Sequence, residues 1–132
     1  MTDVIPASHQ DLLHKAGILH LASLGPDGEP QVHPVWYGWD GTHLLVSSTS
    51  TRQKTKNIER DGRVAGSILD PEDPYRYVEV RGTVESVEPD PTGTLIHQLA
   101  KKYLGQDRYP WEDDNSARVI VRIRMEKSNT MG

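Results

Sequence analysis

Two tight turns, Gly25-Pro26-Asp27-Gly28 and Asp40-Gly41, interrupt the first third of this chain and constrain its fold more than any other feature. Connections this short join antiparallel neighbours, because a parallel pair needs a crossover of a dozen or more residues. Residues 18–24, 29–39 and 42–49 therefore read as three strands of a β-meander. Ahead of them, residues 8–16 read as a short helix, with Ser8 as N-cap, Gly17 as stop and one apolar face from Leu12, Leu13 and Ala16.

The pattern changes at residues 51–60, which have few β-formers and read as a helix ended by Asp61-Gly62. Residues 63–69 return as a strand and 70–74 as a loop. Residues 75–87 alternate, with Val78, Val80, Gly82 and Val84 on one face and Tyr77, Glu79, Arg81 and Glu85 on the other. A helix follows over about 92–104, then a polar loop over 105–116 holding Tyr109, Pro110 and Trp111. The last strand, 117–127, sets Val119, Val121, Ile123 and Met125 against Arg118, Arg122 and Arg124. Six mostly antiparallel strands with helices between them form a mainly β domain. Closure into a small barrel would remove the exposed edges. No repeat or linker divides the chain, so residues 1–132 read as one domain.

Composition narrows the function classes. Leu, Ile and Val supply only 29 of 132 residues, and Phe and Cys are absent. That is just above the ~20% level below which chains tend to stay disordered. A core this thin invites burial against a second copy or around a ligand. Without Cys there is no disulfide scaffold, thiolate metal site or cysteine nucleophile, which fits a reducing cytosol. No apolar run approaches the ~20 residues of a membrane span. The Met-Thr-Asp-Val-Ile-Pro start lacks a basic then apolar leader, so the expected location is cytoplasmic. A net charge of −4 is the wrong sign for a general nucleic-acid binder.

Against that acidity stands one basic block. Arg52, Lys54, Lys56, Arg60 and Arg63 are five of the fifteen basic residues, and they follow the hydroxyl run Ser47 to Thr51. Cations in the first turn oppose the helix dipole, and a bound anion would relieve the conflict. Backbone N–H groups, hydroxyls and the Arg52 and Lys54 heads could converge on a phosphate. The competing reading is a solvated charged helix. The hydroxyl run tips the balance slightly toward an anion site.

His20 and His33 fall opposite each other across the first hairpin, without a third ligand at metal spacing. They read as two strand histidines, so no metal is expected. Trp36, Tyr37 and Trp39 read as core and interface residues. There is neither an H-E-x-x-H motif nor a G-x-S-x-G elbow.

The ordered set 28–37, Leu45 to Thr49, Arg52 to Val64 and Val80 to Val84 resembles the pyridoxamine-phosphate-oxidase-like flavoproteins, over about residues 10–125. The closest likeness is to their actinobacterial branch that uses the deazaflavin coenzyme F420. The resemblance implies an antiparallel split β-barrel of six to seven strands, the FMN-binding split barrel. It also implies a homodimer with cofactor in a groove at the subunit interface. Arg52 and Lys54 match the family's phosphate-binding pair, Asn57 its helix Asn, and Ser48, Thr49 and Ser50 its hydroxyl residues. Backbone at Pro34, Val35 and Trp36 would cover the ring, and Arg76, Tyr77 and Val78 would add contacts. Gly62 departs from the Pro of many members and only loosens a turn. An FMN-using branch is the alternative.

The activity implied is hydride transfer from reduced F420 to an electron-poor small molecule, such as an activated alkene, a quinone-like ring or a tetrapyrrole. The cofactor carries the difficult chemistry, so no obligatory nucleophile or acid–base residue is expected. The loop around Tyr109 to Trp111 and the partner's C-terminal strand would shape the acceptor pocket.

Overall fold

The computed structural model describes residues 4–111 and 117–132, so part of the expected 105–116 loop lies outside the described residues. Seven antiparallel strands form one sheet: β1 (Leu19–Leu24), β2 (Pro30–Val35), β3 (Gly38–Trp39), β4 (Leu44–Thr49), β5 (Arg63–Asp70), β6 (Asp73–Pro89) and β7 (Arg118–Met131). Their order across the sheet is β2-β1-β5-β6-β7-β4-β3. The two edge strands are joined by only Trp36 and Tyr37, so the sheet must curl until its edges meet. That is the split barrel.

The expected strand 29–39 is therefore two strands. Its first part pairs with β1 and its last part with β4. At Trp36 the chain leaves one edge of the sheet for the other, and Tyr37 is buried completely at the crossing. The expected helix over 8–16 is instead a 3-10 turn over Ala7–Leu13. Ser8 does not cap it; its hydroxyl meets His9 Nδ1. The Tyr37 hydroxyl donates to the carbonyls of Leu12 and Lys15, taking acceptors that a longer helix would have used.

Alternation places Leu19, Leu21, Leu44, Val46, Ile68, Val78, Val80, Val121 and Ile123 inside the barrel. Two helices cover parts of its outside. Helix α1 (Gln53–Arg60) turns Thr55, Asn57 and Ile58 inward, with Asn57 on Ser23 of β1 and Thr55 on Ser48 of β4. Helix α2 (Thr94–Leu104) lays Leu95 and Leu99 over Gly38 and Leu45. Asp90 caps α2 by accepting from the N–H groups of Thr94 and Leu95. Among the described residues no helix is long and apolar enough to cross a membrane.

An ion cluster ties the N-terminal turn to β5 and β6. Arg76 donates to Asp11, Asp70 and the Ser8 carbonyl, and Lys15 donates to Asp70. The Glu72 backbone N–H, then Lys15 and Arg76, hold the Asp70 carboxyl down to about 2. Its folded value lies below the ordinary 3.8, so its contribution to stability is complete above that pH and is lost as pH falls toward 2. Asp70→Asn should therefore melt below wild type at pH 5, with the gap closing on acidification. A gap in Tm independent of pH would show that the ion cluster does not act through this charge.

Candidate functional site

Where β4 gives way to α1, the helix is fixed from beneath. Ser48 and Thr55 share a buried hydroxyl–hydroxyl hydrogen bond of 2.8 Å. Asn57 is wholly buried; its amide N–H₂ donates to Ser23 and Gln31, and its carbonyl accepts from Gln53. With Thr55, Asn57 and Ile58 turned inward, Lys54 is carried to the same side, one turn before Ile58. It is 9% exposed, and Arg52 stands beside it in the open.

Arg118 joins them from β7, where it is paired with Thr49 in the ladder and is only 6% exposed. Burial first, then the charges of Arg52 and Arg118, lower the Lys54 ammonium below its ordinary value. Among the described residues Arg52 and Lys54 have no carboxylate partner. Like charges brought together at a partly desolvated site favour an anion between them.

These cations line a groove of about 190 Å³. Pro34, Val35 and Trp36 at the end of β2 line it too, and Ile96, Leu99, Ser47 and Tyr109 complete the lining. Trp36 is held firmly. Its ring stacks on Tyr103 at 4.8 Å and 8°, and Tyr109 meets it edge-on at 5.8 Å. The Tyr103 hydroxyl donates to the Gly17 carbonyl and accepts from the Tyr37 N–H. Lys102 donates to the Tyr37 carbonyl and lies 4.2 Å from the Tyr37 ring centre. Burial lowers its pKa to about 8.

Of the residues singled out in sequence, Pro34, Val35, Trp36, Arg52 and Lys54 meet in this groove. Ser48 and Asn57 lie beneath it, spent on anchoring α1. Thr49 shares a hydrogen bond with Thr51, and Ser50 is exposed with its N–H on the Ala117 carbonyl. Arg76, Tyr77 and Val78 lie elsewhere in the single chain: Arg76 in the ion cluster, Val78 in the barrel core, and Tyr77 beside Ser67, Leu69 and Glu79 in another cavity. His20 and His33 stand one register step apart, facing Pro34 and Leu21. Among the described residues no group of three His, Asp or Glu could hold a metal.

Sequence reading missed Arg118, Ile96 and Leu99, while Ser47 enters from the hydroxyl run. Arg118 sits on the face away from the apolar stripe of β7, as alternation requires, but Tyr109 lies over its guanidinium there. The only available signal was its position opposite the hydroxyl run.

Residues 5–132 match the pyridoxamine 5'-phosphate oxidase family. The chain belongs to that family. Among solved pyridoxamine 5'-phosphate oxidase-like structures, an F420 reductase is 40% identical, covers 95% of this chain and 98% of its own, and superposes with a TM-score of 0.88. The conserved hypothetical protein Rv2991 from Mycobacterium tuberculosis is 23% identical over 99% of this chain and 88% of its own, with a TM-score of 0.74. A putative pyridoxamine 5'-phosphate oxidase from Listeria innocua is 21% identical over 93% and 94%, with a TM-score of 0.71. The last two share the fold. The oxidase family and its F420 branch are the ones to which the ordered residues of this sequence pointed.

Proposed function

We propose that this protein is an F420-dependent oxidoreductase that binds the deazaflavin in the groove between Lys54 and Trp36. The observation that carries this reading is the buried Lys54 beside Arg52, with no carboxylate partner for either among the described residues, lining one groove with the end of β2. The 40% identical F420 reductase supports the choice of cofactor. The donor set fits a cofactor with a flat ring and a phosphate on its tail: Arg52 and Lys54 line the same groove as apolar and aromatic residues.

When bound, reduced F420 supplies a hydride to an electron-poor organic acceptor, which gains a proton from solvent. The chain's own residues bind and orient. Arg52 and Lys54 hold the phosphate, and Arg118 adds positive charge beside them. Backbone at Pro34, Val35 and Trp36 would cover the ring, while Ile96, Leu99 and Tyr109 would shield it from water. Ser48 and Asn57 act beneath the site by fixing α1. Arg76 and Tyr77 can reach the ligand only across the interface of a homodimer, and Val78, wholly buried in the barrel core, can offer it no side-chain contact. Exposed Val32, Tyr75 and Met131 are apolar surface that such an interface could cover.

Titration of the purified protein with F420 and with FMN, followed by fluorescence, tests the cofactor. We expect F420 to bind at micromolar affinity or tighter. Binding of FMN alone would move the assignment to a flavin oxidase or flavin-binding protein. Binding of neither would remove both cofactors and leave an anion-binding domain. Sedimentation should give a dimer, and a stable monomer at micromolar concentration would remove the interface groove.

A further inference from the structure

His97 lies on α2 beside Ile96 of the groove lining, and nothing so far gives it a role. Its Nδ1 accepts the backbone N–H of Tyr109 at 2.9 Å. An accepting Nδ1 carries no proton, so the neutral imidazole has its proton on Nε2. That Nε2 is buried and has no hydrogen-bond partner among the described residues. A buried unpaired donor is unfavourable, and an aliphatic side chain would fill the place better. What the imidazole does supply is one acceptor aimed at one amide.

That amide belongs to the residue that forms the groove's aromatic wall. The Tyr109 ring meets Trp36 edge-on, meets Trp111 at 5.5 Å and lies 5.4 Å from the Arg118 guanidinium. Tyr109 therefore meets both Arg118 and Trp36. Its backbone is anchored to α2 through His97.

We propose that His97 is a positioning residue whose Nδ1 holds the Tyr109 amide and so sets the wall against which the cofactor ring is held. The inference rests on the reading of the groove given above. It assigns tightness of ring binding to His97 and phosphate binding to Arg52 and Lys54.

Two substitutions separate positioning from packing. His97→Asn keeps an acceptor at the place of Nδ1 and removes the unpaired Nε2. His97→Leu removes the acceptor and keeps the bulk. Amide exchange at Tyr109, read by NMR on the full chain, should speed up about tenfold or more in His97→Leu and stay within about threefold in His97→Asn. The F420 dissociation constant should rise about fivefold in His97→Leu and recover in His97→Asn, while affinity for inorganic phosphate stays within about twofold in both. The Tm of His97→Leu should equal or exceed that of wild type. Unchanged Tyr109 exchange in His97→Leu overturns the proposal, as does a failure of His97→Asn to restore it. Failure of wild type to bind F420 would instead overturn the cofactor reading, with the exchange comparison still deciding the anchor.

Discussion

Replacing Arg52 and Lys54 together by alanine is expected to weaken F420 binding by about a hundredfold or more. A hydrogen bond to a charged group contributes ~1.5–3 kcal/mol, and each ~1.4 kcal/mol is a factor of ten in affinity. Each single substitution should lose roughly twentyfold or more, and the double less than the product, because both cations address one phosphate. Lys54→Ala carries a second signature. Burial and the neighbouring arginines disfavour its charge in the free protein. The substituted protein, measured without ligand, should therefore melt no lower than wild type. Fluorescence titration and thermal unfolding on the same samples read both quantities. Retention of F420 affinity within twofold in the double variant would show that the phosphate binds elsewhere. A large drop in Tm in the ligand-free single variant would make Lys54 a structural residue instead.

Gly82→Ala should destabilise the barrel by about 3 kcal/mol, at the upper end of overpacking effects. For a domain of this size that is a fall in Tm of roughly 10 °C. A Cβ at Gly82 would lie 2.2 Å from the Arg124 carbonyl oxygen and 3.2 Å from the Met125 Cα. Both are backbone atoms of the paired strand, so relief requires β6 and β7 to part. The ladder shifts register at Arg81/Gly82, and the bulge draws the strands together there. Gly28 provides the control. Its φ is +81°, and nothing lies within 4 Å of a Cβ placed on it. Gly28→Ala should lose only the ~1–2 kcal/mol of a left-handed residue. If Gly82→Ala melts no lower than Gly28→Ala, the close approach is relieved more easily than this geometry allows.

Much of this molecule was legible in one dimension because its causes are local. The turns at Gly25–Gly28 and Asp40-Gly41 set antiparallel neighbours, and their glycines take positive φ at Gly28 and Gly41. Alternation along β6 and β7 put Val78, Val80, Val121 and Ile123 inside. The basic block after the hydroxyl run marked the place where Arg52 and Lys54 now stand. Where local cause competes with tertiary demand, the reading slips. Residues 8–16 carry a helix pattern, yet the Tyr37 hydroxyl claims the carbonyls of Leu12 and Lys15.

The sequence by itself determined a mainly β, antiparallel domain, its family, and the cation pair at the start of α1. These follow from turn chemistry, period-two patterning and ordered residues, all of which are properties of neighbours along the chain. Only the tertiary structure decided that strand 29–39 breaks at Trp36, because that break exists to carry the chain between the two edges of a closing sheet. Only it placed α2 over the outer face of β4, bringing Ile96, Leu99 and the His97-anchored Tyr109 to the groove. The Tyr109 ring over its guanidinium helps make Arg118, an outward-facing strand residue by alternation, a buried third cation. Alternation tells which face a side chain takes; what covers that face depends on elements distant in sequence.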